Sequence, residues 1–133
     1  MGSIYKNGIA YASGGGGGAS DSGWLELDGT AAVNPDYKIY YRKVGAIVYV
    51  QAYFKWASNI SGNVQNTVFT LPEGFRPKIP VNFTFKNLSN NVYTDITAGM
   101  MTFIAEDGTC AVKYQYTMSS SQIYVIDVAF VSA

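Results

Sequence analysis

Residues 37–56 read YKIYYRKVGAIVYVQAYFKW, and this stretch decides the fold. After Gly45 every second residue is apolar, and the apolar set is Ala46, Val48, Val50, Ala52, Phe54 and Trp56. The residues between them are mixed in polarity. A period of two is typical of a β-strand with one buried face and one wetted face. Residues 37–43 alternate in the same way, so we expect Gly45 to provide the positive φ of a tight hairpin between two strands.

Residues 71–77, LPEGFRP, follow this hairpin after a polar loop at 57–65 and a short predicted strand at 67–70. The loop lies at one end of the predicted sheet, where binding loops tend to be found. Pro72 and Pro77 lack an amide hydrogen, and Gly74 suits a turn, so residues 71–77 cannot continue a strand. We predict that they form a rigid corner that carries the chain from one sheet to the other.

The rest of the chain also alternates with a period of two, and no stretch shows helical periodicity. Strands are predicted at residues 24–27, 37–43, 46–56, 67–70, 79–86, 110–117 and 122–131. Residues 92–104 should form two strand pieces separated at Gly99, and turns are expected at 87–91 and 106–108. Short strands at regular spacing indicate an all-β fold, an antiparallel β-sandwich or a jelly-roll-like barrel.

The strand predicted at residues 110–117 has one strongly apolar side. Four of its residues fall on one face: Cys110, Val112, Tyr114 and Tyr116. Lys113 and Gln115 fall on the other.

The N-terminal residues differ in composition from the remainder. Asn7-Gly8, within residues 3–11, suits a small hairpin, which is either an arm without a partner or a strand pair that joins a neighbouring chain. Five consecutive glycines at residues 14–18 form a flexible tether. We therefore divide the chain into an arm and linker at residues 1–23 and a β-sandwich domain at residues 24–133.

Composition excludes several function classes. Nine basic and nine acidic side chains balance, so nothing predicts binding to nucleic acid or to an anionic membrane. The chain has no histidine and a single cysteine, Cys110, which leaves no internal disulfide and no histidine or multi-cysteine metal site. No apolar run approaches the ~20 residues of a membrane span, and no signal-peptide pattern opens the sequence. We expect no cofactor.

The carboxylates are the only candidates for acid–base catalysis. Asp28, Asp36 and Asp107 fall in predicted turns, and Asp127 alternates onto the outer face of its strand. Glycoside hydrolysis needs two carboxylates that face each other across a cleft, and no such pair is evident. Because the serines and Cys110 have no partner base, nucleophilic catalysis is unsupported as well. We predict no catalytic residue and no enzymatic activity.

Wettable aromatic residues occupy the outer face of the two central strands. They are Tyr40, Tyr49 and Tyr53, with Gln51 among them. Tyrosine suits half-buried strand surfaces, so a purely structural role is the simplest interpretation. Such a face can also pack against identical faces in an oligomer, or its rings can stack on sugars. Of the two functional interpretations, we place the oligomer interface first.

Four motifs occur in a fixed order along the chain. They are SGWLEL at residues 22–27, YRKVGAIV at 41–48, LPEGFRP at 71–77 and IAEDGT at 104–109. As a set they resemble the C-terminal head domains of tail-fibre and baseplate receptor-binding proteins of phages and prophages. The glycine-rich N-terminal segment is similar to linkers in such proteins. The resemblance covers about residue 22 to the end.

Heads of this family are typically β-sandwich or barrel domains that trimerise and bind cell-surface saccharide. The resemblance therefore implies a non-catalytic homotrimeric head that attaches to host cell-surface polysaccharide, made in the bacterial cytoplasm and located in the virion beside other tail or baseplate proteins. Gly45, Gly74 and Pro77 look architectural, so the resemblance implies no binding residue. Two alternatives stay open: a virion or tailocin decoration protein that only assembles, and a bacterial carbohydrate-binding module or lectin.

Overall fold

The structure is a computed structural model that describes residues 20–89, 91–96 and 99–133. Over these residues the chain forms nine β-strands and no helix. The described residues therefore include no helix that could cross a membrane. The strands are β1 Leu25–Asp28, β2 Lys38–Val44, β3 Ile47–Phe54, β4 Asn66–Thr70, β5 Phe85–Ser89, β6 Val92–Ile96, β7 Met100–Ile104, β8 Thr109–Tyr114 and β9 Ile123–Val131. The all-β prediction is confirmed.

The strands form two antiparallel sheets that share one core. The large sheet has six strands in the order β1-β2-β3-β9-β5-β6, and the small sheet has three in the order β4-β8-β7. At the centre of the large sheet, β3 pairs with β9 from Ile47↔Val131 to Phe54↔Tyr124. Buried side chains from both sheets belong to a single apolar cluster, so the architecture is a β-sandwich.

Aromatic rings fill the middle of this core. Phe54 at the end of β3 is fully buried, and its ring meets that of Trp56 edge to face with centroids 5.1 Å apart. Phe85 from β5 stacks on Tyr124 from β9 at 5.2 Å, and Phe69 from the small sheet is fully buried as well. The alternation predicted after Gly45 is thus confirmed from Val48 to Trp56, whereas Ala46 belongs to the turn and is exposed.

The glycines that were predicted to mark turns have the required backbone. Gly45 has φ +60° between β2 and β3, and Gly74 has φ +93° in the corner. The corner follows β4 of the small sheet, and directly after it the Lys78 amide donates to the carbonyl of Val131 on β9 of the large sheet at 3.0 Å, as predicted. Arg76 Nε donates to the Leu71 carbonyl at 2.9 Å and closes the corner. Gly99 separates β6 from β7 at φ +69°, which confirms the two predicted strand pieces.

The strand predicted at residues 79–86 is wrong over most of its length, because β5 begins only at Phe85. Pro80 has no amide hydrogen, and the chain crosses here from one sheet to the other. Val81 exchanges backbone hydrogen bonds of 3.0 and 2.8 Å with Ile104, at the edge of the small sheet. The side chains of this extended segment therefore alternate as those of a strand do, but its backbone does not form a continuous hydrogen-bonded ladder with a neighbouring strand.

The turn predicted at residues 87–91 is also misplaced. β5 continues to Ser89, which pairs with Val92 on β6. Asn91, with φ +63°, accounts for the change of direction, because asparagine tolerates left-handed backbone better than most residues. The chain therefore reverses direction later than predicted, between Ser89 and Val92.

The strand predicted at residues 110–117 ends early. β8 stops at Tyr114 because Met100, the first residue of its neighbour β7, pairs with Tyr114 itself. On the other side β4 begins opposite Val112. Tyr116, which the alternation placed on the same face as Cys110 and Val112, is 61% exposed because it lies beyond both partner strands.

The two ends of the sandwich hold different parts of the chain. At the end that we call the proximal pole, Ser20 joins the sandwich, and its carbonyl accepts the Gly45 amide at 2.8 Å. The corner at 71–77 and the turn at 105–108 meet at the same pole, where the Leu71 amide donates to the Gly108 carbonyl at 2.9 Å. The opposite end, which we call the distal pole, carries the connections at residues 29–37, 55–65 and 115–122.

The described residues start at Ser20, so the predicted arm hairpin at 3–11 and the tether at 14–18 lie outside them. The division of the chain at residues 23 and 24 stays a prediction. Within the described part, Ser22 already donates its amide to the Lys43 carbonyl at 2.9 Å, next to β2.

Candidate functional site

The four residues predicted to form a ligand or oligomer surface lie together on the outer face of the large sheet. Tyr40 on β2 pairs directly with Gln51 on β3, and Tyr49 and Tyr53 flank Gln51 along β3. The three tyrosines are 41%, 41% and 45% exposed in the order Tyr40, Tyr49, Tyr53. We call this surface the tyrosine face. Its three rings are exposed on one face of the sheet, as the alternation predicted.

The tyrosine face continues across β9. Gln51 pairs with Asp127, and Tyr53 pairs with Val125. Val131, at the proximal end of β9, is an exposed apolar residue of the same face. Its residues come from adjacent strands of one sheet, so it is a broad sheet surface. That shape suits contact with another protein surface better than enclosure of a small ligand.

A charged pair marks the β2 side of the tyrosine face. Arg42 lies opposite Tyr49 in the β2–β3 ladder, and its Nε donates to Asp21 Oδ1 at 2.9 Å. This hydrogen bond raises the pKa of Arg42. The guanidinium carbon also lies 5.9 Å from the Trp24 ring centroid. Arg42 is thus already paired within the chain.

The carboxylates have structural partners or lie on open surface. Asp95 Oδ1 lies 3.9 Å from Lys86 Nζ. Asp107 Oδ1 accepts the Thr109 amide at 2.9 Å in the β7–β8 turn, and this bond lowers the pKa of Asp107. Asp127 is exposed on the outer face, as predicted. Within the part of the chain that the structure describes, no three histidine, cysteine, aspartate or glutamate side chains gather as a metal site would require.

Cys110 is fully buried on β8, the central strand of the small sheet, and burial raises the pKa of its thiol. The thiolate is the reactive form of cysteine. We therefore expect iodoacetamide to leave the native protein unlabelled at mildly alkaline pH and to label it fully in denaturant, as read by intact mass. Rapid labelling of the folded protein would show that β8 is not buried between its neighbours.

A second surface, which the sequence did not indicate, is a cleft at the distal pole. It has a volume of about 470 Å³, within the range of about 300–1,000 Å³ that is usual for small-molecule sites. The β5–β6 hairpin forms one wall, and the segment from the end of β8 to the start of β9 forms the other. Eight of its ten lining residues carry amide, hydroxyl or carboxylate groups: Asn87, Thr94, Asp95, Tyr114, Thr117, Ser119, Gln122 and Tyr124.

Hydrogen bonding and ring packing hold the distal cleft in shape. Asn87 Nδ2 donates to Gln122 Oε1 at 2.6 Å, which ties β5 to the segment that precedes β9. Tyr124 is 3% exposed, and its ring lies almost parallel to that of Phe85, with an interplanar angle of 7°. Burial raises the pKa of Tyr124, so its hydroxyl stays protonated at neutral pH. The cleft therefore has a rigid aromatic floor and a polar wall.

The sequence did not indicate the distal cleft because its two walls are far apart in the chain. Residues 87–96 and 114–124 meet only through the order of strands in the large sheet. The polar loop at 57–65, which was singled out as a possible binding loop, lies at the same pole, where Ile60 and Met118 exchange backbone hydrogen bonds of 2.9 Å. The one local signal was the run QYTMSSSQ at residues 115–122, which is rich in amides and hydroxyls.

No protein-family model matches the sequence, and no curated protein matches it either. In three dimensions the chain is similar to the crystal structure of the head domain of the lactococcal phage bIL170, with a TM-score of 0.62 over 83% of this chain and 97% of that chain. The fold is that of a phage receptor-binding head domain. The resemblance drawn from the four sequence motifs is confirmed at the level of the fold. Because sequence identity to the bIL170 head is 15%, the match identifies no binding residue.

Proposed function

We propose that this chain is the head of a phage or prophage tail-fibre or baseplate protein, and that it binds a saccharide on the host cell surface without cleaving it. The observation that carries the proposal is the fold, which extends over 97% of the bIL170 receptor-binding head. The carboxylates support the non-catalytic part, because those described above serve ion pairs, a turn and open surface. In this assignment the chain belongs to the virion tail and contacts other tail or baseplate proteins.

We further propose that three copies associate through the tyrosine face. Tyrosine is enriched at protein interfaces because it buries a large ring and keeps a polar hydroxyl. Tyr40, Tyr49 and Tyr53 offer three such rings on one sheet, and the adjoining Val131 is apolar. Contiguous exposed apolar surface of this kind is typical of interaction sites. Contact between copies would bury it.

Light scattering at micromolar concentration should therefore give the mass of a trimer. Tyr49→Arg places a second cation beside Arg42 at each interface, and we expect it to yield a monomer with an unchanged circular dichroism spectrum. Tyr116→Arg is the matched control, because Tyr116 is an exposed tyrosine outside the tyrosine face, and it should stay trimeric. A monomeric wild-type protein would contradict the proposed trimer. A trimeric Tyr49→Arg variant would show that the interface does not include the tyrosine face.

Glycan binding without hydrolysis is the second expected result. On an array of bacterial surface glycans the head should bind at least one glycan. A single shallow site should be weak, and three heads on one particle should raise the avidity without new contacts. Incubation with a bound polysaccharide should release no new reducing ends. Their appearance would identify a depolymerase. If the protein binds no glycan on the array, the result favours a decoration protein that only assembles. A monomer that binds glycans would favour the lectin-like module.

A further inference from the structure

The distal cleft and Ser20 lie at opposite ends of the sandwich. Ser20 joins the sandwich at the proximal pole, whereas the cleft opens at the other end of the strands. The tyrosine face, by contrast, runs along the side of the sandwich, on the outer surface of the large sheet. The two surfaces can thus serve different partners at the same time.

The polar groups of the cleft match the hydroxyls of a sugar. The hydrogen bond from Asn87 Nδ2 to Gln122 Oε1 leaves Asn87 Oδ1 and Gln122 Nε2 without a protein partner among the described residues. Asn87 Oδ1 is an acceptor and Gln122 Nε2 is a donor. The hydrogen bond between the two side chains holds both of them in place. Neighbouring hydroxyls of a sugar ring can donate to the first and accept from the second. Tyr114, which also lines the cleft, provides an aromatic surface for the C–H groups of a ring.

The charges of the cleft favour an uncharged unit. No lysine or arginine is among the lining residues that the structure describes, and Asp95 is the one carboxylate among them. Asp95 pairs with Lys86 in the β5–β6 ladder, and its carboxylate lies 3.9 Å from Lys86 Nζ, on the face of the sheet opposite that of Asn87 and Thr94. A phosphate or carboxylate group in the cleft would therefore meet no cation in the wall to compensate for lost hydration.

We infer that the distal cleft is the saccharide site of the head and that it selects an uncharged, hydroxyl-rich sugar unit over a phosphorylated or acidic one. This inference rests on the proposed function. It adds the position of the site, the residues Asn87 and Gln122 as its hydrogen-bonding pair, and the charge class of the ligand.

The first test is a nitrogen-15 NMR titration of the intact protein with neutral methyl glycosides, and in parallel with glucose 1-phosphate and glucuronate. We expect at least one neutral glycoside to shift the amide signals of Asn87, Thr94, Ser119 and Gln122, and the two anionic sugars to leave them in place. Shifts confined to the tyrosine face would overturn the assignment of the site. Stronger shifts at the cleft with the anionic sugars would overturn the assignment of the ligand class.

The second test compares Gln122→Ala with Gln65→Ala on an array that carries neutral and acidic bacterial glycans. Both glutamines are exposed near the distal pole, but Gln65 does not line the cleft. We expect Gln122→Ala to lose roughly tenfold in affinity, as for one hydrogen bond, and Gln65→Ala to bind as the wild type does. If the wild type binds and Gln122→Ala binds equally well, the cleft is not the site although the proposed function stands. If the wild type binds no glycan, the proposed function fails and the inference fails with it.

Discussion

Replacing Phe54 with alanine should lower the free energy of unfolding by roughly 3–5 kcal/mol, as for other large-to-small changes in cores. The ring is fully buried and contacts three other aromatic rings. Its centroid lies 5.1 Å from that of Trp56, 6.1 Å from that of Phe85 and 6.3 Å from that of Tyr124. These neighbours belong to different strands or to the segment after β3, so they cannot all close on the space that the ring leaves.

The measurement is urea denaturation followed by circular dichroism, at several protein concentrations, because subunit association contributes to apparent stability. Tyr116→Ala is the control: a ring of similar size is removed from an exposed position, and the loss should stay below about 1 kcal/mol. A loss below about 1 kcal/mol for Phe54→Ala itself would mean that the register of β3 is wrong. A slip of one residue exchanges the two faces of a strand.

Gly108→Ala should be the second most damaging change, with a loss of about 3 kcal/mol or more. Gly108 has φ +89°, and a Cβ there would lie 2.5 Å from the backbone oxygen of Leu71. That oxygen accepts Arg76 Nε at 2.9 Å, and the Gly108 carbonyl accepts the Leu71 amide. Relief of the clash would therefore separate the β7–β8 turn from the corner.

Gly74→Ala separates the two causes, because Gly74 has nearly the same backbone, at φ +93°, with nothing within 4 Å of its added Cβ. We expect it to cost only the strain of left-handed backbone, about 1–2 kcal/mol. Parallel denaturant melts give the comparison. Equal losses for the two variants would show that the contact between Gly108 and Leu71 contributes nothing.

Features set by neighbouring residues were predictable. The alternation from Val48 to Trp56 depends on a strand with one face toward the core, and the turn at Gly45 depends on positive φ. The prediction failed where the side chains alternate in burial but the backbone does not pair as a strand. Between Pro80 and Phe85 the chain buries apolar side chains on one side as a strand does, but its backbone passes between two sheets.

The candidate surfaces divide in the same way. The tyrosine face comes from two strands that are consecutive in the sequence, so its members could be chosen from the alternation alone. The distal cleft needs Asn87 beside Gln122, and that proximity follows from the pairing of β5 with β9. A single sequence carries no signal for the pairing of such distant strands. The pair could be identified only from the fold.

The pairing of β3 with β9 also constrains biosynthesis. As the chain leaves a ribosome, β2 and β3 emerge early, but the strand that completes the open edge of β3 is the last of the nine described. Until β9 appears, the nascent chain carries a long apolar strand with unpaired backbone groups, which is prone to aggregate. Distant pairings of this kind also slow folding. Truncated translation products that lack β9 should therefore be insoluble and dependent on chaperones.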